Sequence, residues 1–161
     1  MTSLPGPDAI ATDLQLSARD GFPLAGRLWA IPGAPQPKSI ALINSGAGIQ
    51  SRFYDRFAAF LAQNGVPTLV YDYRGIGRSR PTSLRGFKAS VEEWGSKDCA
   101  AVLDWLRDRF PEVTAQQTLR SKMRRRIPCR SDADRSHLHG AGGLGSDSGW
   151  SWHLTYQFGT A

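Results

Sequence analysis

Cysteine is nearly absent from this chain, with two in 161 residues, Cys99 and Cys129. Two cysteines build no disulfide framework. The default expectation is therefore a reducing, cytoplasmic setting, with a Cys99–Cys129 bridge as the minor alternative. No apolar run approaches the ~20 residues of a membrane span. The first residues, Met1-Thr2-Ser3-Leu4-Pro5-Gly6, carry neither a basic start nor an apolar stretch, and do not read as a signal peptide. Histidine is confined to His137, His139 and His153. No thiol or carboxylate set stands beside them, so no metal is expected.

Aliphatic residues are also scarce, but only in one part of the chain. After Val113 the Ile, Leu and Val residues are Leu119, Ile127, Leu138, Leu144 and Leu154 alone. The same 48 residues carry seven Lys and Arg against three Asp and Glu, a net of +4 out of the chain's +6. So few apolar side chains do little to offset backbone ordering at ~1–2 kcal/mol per residue. Three segments follow from this: a Pro-containing lead over 1–12, a core over 13–112, and a basic, Gly/Ser/Arg-rich tail over 113–161 expected to be largely irregular. Gly140–Gly149 is low in complexity. The basic run Arg120–Arg126 would attract phosphate nonspecifically. No helix or ribbon is indicated to present it, and no specific nucleic-acid partner is expected.

The core reads as alternating strands and helices. Leu14, Leu16 and Ala18 alternate with polar residues, Asp20-Gly21 marks a hairpin turn, and Pro23–Ala30 is the returning strand. Ser39–Ile43 is a continuous apolar run suited to a strand buried on both faces. Asn44-Ser45-Gly46-Ala47-Gly48 is a small-residue loop. Phe53, Phe57, Phe60 and Leu61 follow at helical spacing, and Asn64-Gly65 stops the helix. Val66–Tyr71 is the next strand. Ser90 and Glu93 form a capping box, and Cys99, Val102, Leu103, Leu106 and Phe110 line one face of the helix that Pro111 ends.

Three segments taken together carry a resemblance. They are the strand Ile40–Ile43 running into Asn44–Gly48, the helix Arg52–Gln63, and Tyr71-Asp72-Tyr73-Arg74-Gly75-Ile76-Gly77-Arg78-Ser79, close to D-x-R-G-x-G-x-S. Residues 14 to 112 resemble the N-terminal portion of an α/β-hydrolase of the esterase, lipase and serine-peptidase kind. The resemblance implies an α/β fold: a partial sheet of about four strands with two main helices. It implies acyl transfer on a small ester or amide substrate, without cofactor, in intact relatives. The loop after the third strand then supplies a backbone N–H of the oxyanion hole, with Gly46 or Ala47 as the candidate; a tight turn at a strand end is the alternative. Asp72, Arg74, Gly75, Gly77 and Ser79 form the family's signature turn, to which the resemblance gives a structural role.

The resemblance also implies a strand and a G-x-S-x-G turn after the long helix. No serine in this sequence has glycine at both −2 and +2. Ser79 follows Gly75-x-Gly77 at the wrong spacing for that turn. No catalytic serine, acid or histidine is assigned. Two readings account for the change of character near residue 113. In one, a hydrolase gene is read out of frame from there, truncating the family's chemistry and leaving the chain inactive. In the other, a non-catalytic binding protein docks an acidic partner through its basic tail. Without the nucleophile strand, Ile40–Ile43 would also become an apolar sheet edge open to self-association.

Overall fold

The computed structural model describes residues 8–113, and 115–121 and 152–158 as backbone. Strands β1 (Ile10–Ser17) and β2 (Pro23–Ala30) form an antiparallel hairpin whose register runs from Ile10 opposite Ala30 to Ser17 opposite Pro23. Gly21, with φ +82°, makes the turn that a side chain would strain. The pairing carries β1 back to Ile10, inside the segment expected to be a loose lead, because β2 is long enough to satisfy it. Strand β3 (Ser39–Asn44) leads through a 3-10 turn at Ser51–Tyr54 into helix α1 (Asp55–Gln63), and β4 (Thr68–Tyr71) returns parallel to β3. Strand β4 also pairs antiparallel with β2.

The alternation along β3 builds two layers of core. Ile40 and Leu42 join Leu16, Leu24, Leu69 and Tyr71 on one face, against Val102, Leu103 and Leu106. Ala41 and Ile43 join Val70 on the other, against Tyr54 and Ala58 of the α1 side. A strand whose successive residues are all buried must be apolar without interruption, as the run Ile40–Ile43 is.

The second helical region is not the single helix that the spacing predicts. Helix α2 (Val91–Glu93) begins with the expected capping box, in which the Glu93 N–H donates to Ser90 Oγ at 3.1 Å and the Ser90 N–H to Glu93 Oε2 at 3.0 Å. A π-helical stretch, Trp94–Cys99, follows, and then helix α3 (Ala100–Arg109). Trp94 stacks on Tyr73 at 5.1 Å between centroids, and its Nε1 donates to the Arg74 carbonyl at 3.2 Å. The widened turn lets both Trp94 and Asp98 address the chain that leaves β4. Cys99 is disulfide-bonded, where the sequence favoured a reduced thiol.

Strands β5 (Ala115–Ser121) and β6 (Trp152–Phe158) extend the sheet to the order β1-β2-β4-β3-β5-β6. Strand β5 lies parallel to β3, with Ser39 opposite Ala115 and Asn44 opposite Arg120, and β6 is antiparallel to β5. These two strands lie within the segment expected to be largely irregular, and β5 takes the β3 edge that the sequence left without a neighbour. A ladder needs only backbone N–H and C=O groups, so a segment poor in aliphatics can still fill the position. The basic run beyond Ser121, the glycine-rich stretch, His137 and His139 lie outside the described residues, and of His153 only the backbone position in β6 is described. Among the described residues, no helix is long and apolar enough to cross a membrane.

Candidate active site

Two loops leave the carboxyl ends of the adjacent parallel strands β3 and β4, the edge at which open α/β sheets bind ligands. The first is Asn44–Gln50. Asn44 is buried, and its Oδ1 accepts from the hydroxyls of Tyr71 at 2.7 Å and Tyr73 at 3.3 Å. Its Nδ2 is a buried donor with no partner among the described residues. Ser45 Oγ donates to the Tyr71 carbonyl at 3.3 Å. Among the described residues the buried Gly46 N–H meets only the Tyr54 hydroxyl, at 3.4 Å, a long and weak bond. The Ile49 N–H closes the turn on the Gly46 carbonyl at 2.9 Å, and Gly48, φ +78°, sits exposed at its tip.

The second loop, Asp72–Ser79, is held at almost every polar atom. Asp72 is buried, with Oδ1 accepting from the Ser51 N–H at 2.7 Å and Oδ2 from the Arg78 N–H at 3.0 Å. Ser79 Oγ donates to the Asp72 carbonyl at 2.6 Å and accepts from the Ala25 N–H at 2.8 Å. A hydroxyl with these two partners has no free proton to surrender and faces no base. Gly75, φ +79°, lies where a Cβ would come within 2.6 Å of the Phe87 ring, and a Cβ on Gly77, φ +47°, would overlap the Asp72 carboxylate.

Arg74 ties this loop to two other elements. Its Nε donates to Asp98 Oδ1 at 2.8 Å, and its Nη1 and Nη2 form a fork on Asp20 at 2.8 and 2.9 Å. The Arg74 N–H donates to Asp98 Oδ2 at 2.9 Å, and the guanidinium lies 5.2 Å from the Phe22 ring centroid. Burial pushes the Asp98 carboxyl up, while its hydrogen bonds from Arg74 pull the other way. At Asp20 the Arg74 hydrogen bond dominates over burial and holds the carboxyl far below its ordinary range. Asp13, bonded first by Arg78 and then by Arg27, is lowered to about 2. The sequence reading passed over Asp98. The available signal was an acid four residues before Val102, on the apolar face of a helix, where a charge must find a partner.

The two loops flank a cavity of about 230 Å³ lined by Gly48, Gln50, Gly75, Ile76, Gly77 and Arg80. A wider hollow of about 670 Å³, lined by Gly48, Ile49, Gln50, Arg52 and Phe53, shares Gly48 and Gln50 with it. Gly46 and Ala47 thus stand immediately before Gly48, the first of the two shared residues. Among the described residues, no group of three or more His, Cys, Asp or Glu side chains could hold a metal ion.

Residues 35–118 match the family model of the serine aminopeptidases, S33. The chain belongs to this family. Among solved structures it is similar to an esterase from Pyrococcus furiosus, at 21% identity and a TM-score of 0.51, over 65% of this chain and 39% of that one. It is also similar to a thermostable carboxyl esterase from Bacillus coagulans, at 14% identity and 0.51, over 64% and 34%. A third is brefeldin A esterase, a bacterial homologue of human hormone-sensitive lipase, at 17% identity and 0.50, over 72% and 33%. At these identities the likeness is one of fold, and it supports the α/β-hydrolase architecture expected from the sequence. The S33 chain spans between a third and two-fifths of the length of these three structures. No curated protein matches it.

Proposed function

We propose that this chain supplies the oxyanion side of a serine-hydrolase site for a small ester or amide substrate, and that it has no nucleophile of its own. The observation that supports this is the Gly46 N–H. It lies in a small-residue loop at the carboxyl end of β3, and its partner among the described residues is a phenol at 3.4 Å. A developing oxyanion accepts far more strongly than a neutral hydroxyl and would take that donor over. Ala47 is the adjacent candidate. In this reading Asp72, Arg74, Gly75, Gly77 and Ser79 hold the neighbouring loop in place and take no part in the reaction.

A nucleophile of this family belongs on the turn after the strand beside β3. Strand β5 occupies that place, but the residues after it run Lys122-Met123-Arg124-Arg125-Arg126, without the G-x-S-x-G pattern. The expected outcome is no hydrolysis of p-nitrophenyl acetate by the purified chain above background. Saturable turnover abolished by a serine-directed fluorophosphonate would overturn the proposal, and labelling mapped to Ser79 would overturn the structural role of that turn as well. Reading the coding strand in its other two frames beyond codon 113 separates the two accounts of the tail. A G-x-S-x-G within some twenty codons supports the out-of-frame account; stops in both frames support a genuine basic segment.

A further inference from the structure

Six of the thirteen basic side chains among residues 8–113 are ion-paired. Arg19, Arg27, Arg74, Arg78, Lys97 and Arg107 each lie within 4 Å of an acid. Of the seven others, Arg52 and Arg80 are set apart by their place. Both are exposed, Arg80 lines the cavity between the β3 and β4 loops, and Arg52 lines the adjoining hollow. Among the described residues no acid lines either hollow. Apart from Gln50, the lining between the two arginines is apolar or backbone, made of Ile49, Phe53 and Ile76 with Gly48, Gly75 and Gly77. Phe53 is 69% exposed, a large ring left uncovered at the rim.

A guanidinium is a planar, permanently charged donor suited to carboxylate. Two adjoining hollows with one such group each, no carboxylate among their described lining residues and an aromatic and aliphatic wall form a cleft that favours one chemistry: an apolar chain ending in an anion. We infer that this cleft binds amphiphilic carboxylates, with Arg80 and Arg52 receiving the charge and Ile49, Phe53 and Ile76 the chain. The inference deepens the proposed function by naming a substrate class, an ester or amide that carries a free carboxylate on an apolar skeleton. It needs no turnover, because the cleft is built from residues this chain contains.

Octanoate is the probe, titrated into the full 15N-labelled chain and read by amide chemical shifts, with octan-1-ol and octylamine as neutral and cationic controls of equal length. Octanoate is expected to shift the Gly48, Gly75 and Gly77 amides saturably, and added salt to weaken it. Arg80→Gln and Arg52→Gln are each expected to raise Kd about fivefold, and Arg80→Lys to recover part of the loss. Salt dependence on the unaltered chain keeps the test valid if a variant misfolds. Octan-1-ol or octylamine binding as tightly as octanoate, shifts that do not saturate, or glutamine variants that bind as well as the parent would overturn the inference. Ester turnover is measured separately. Activity in the ester assay would sink the inactive-hydrolase reading and leave the octanoate result standing, and absent octanoate binding would do the reverse.

Discussion

The loop after β4 and the loop after β3 start from neighbouring parallel strands and end in opposite conditions. In the β4 loop, Asp72 uses both carboxylate oxygens, Ser79 uses its hydroxyl as donor and acceptor, and Arg74 spans Asp20 and Asp98. In the β3 loop, Asn44 leaves Nδ2 unpartnered among the described residues, and Gly46 has one long contact. A fully satisfied loop is rigid and chemically silent. An under-satisfied one holds donors that a reacting group can claim without first breaking strong bonds. The signature that draws the eye in the sequence is therefore the more fully bonded of the two loops, and the plainer segment beside it is the one to which the proposed function gives the chemistry.

The sharpest break of this contrast is Asp98→Ala. It leaves the Arg74 guanidinium, 6% exposed, without its buried partner, and the Arg74 N–H without an acceptor. Loss of about 3–5 kcal/mol is expected, read as a lowered urea midpoint, because Nε and the N–H of Arg74 become buried donors without an acceptor and only the Asp20 fork remains. A loss below about 1 kcal/mol would mean that Asp20 alone holds Arg74.

Glycine substitutions compare the loops directly. Gly77→Ala forces a Cβ onto the Asp72 carboxylate at positive φ and should cost about 2–3 kcal/mol. Gly48→Ala has the same backbone problem with nothing within 4 Å, and should cost about 1 kcal/mol. Equal costs in thermal melts would show that the β4 loop is no more constrained than its neighbour.

The smallest effect is in acid. The Asp20 and Asp13 carboxyls titrate below their ordinary 3.8 in the fold, so the unfolded chain takes up protons first. Their stabilisation is present above about pH 4 and is lost as pH falls through the folded values, near pH 2 for Asp13. Asp98, shifted the other way by burial, favours the fold at low pH and loses that contribution as pH rises through its raised value. Asp20→Asn should flatten the decline of Tm between pH 4 and 2, and an unchanged slope would remove Asp20 from the account.

Much of the core was legible. Period-2 alternation marked the hairpin, and the uninterrupted Ile40–Ile43 marked a strand buried on both faces. The 3.6-residue spacing from Cys99 to Leu106 marked the helix face, since burial of a side chain depends on its own polarity. The signature turn could be named from its residues, but not the partners that hold it. Asp20, Asp98, Ser51 and Ala25 come from four other places in the chain.

The sequence by itself determined which segments can bury themselves, where glycine must turn the chain, and that no serine stands in a nucleophile turn, because these depend on local patterns of polarity and backbone freedom. Only the tertiary structure decided that β5 would cover the β3 edge, that a π-helical turn would carry Asp98 to Arg74, and that Arg52 and Arg80 would line adjoining hollows with no acid among their described residues. Backbone ladders accept any extended segment, and pairing between charges depends on distances between elements that no local pattern records.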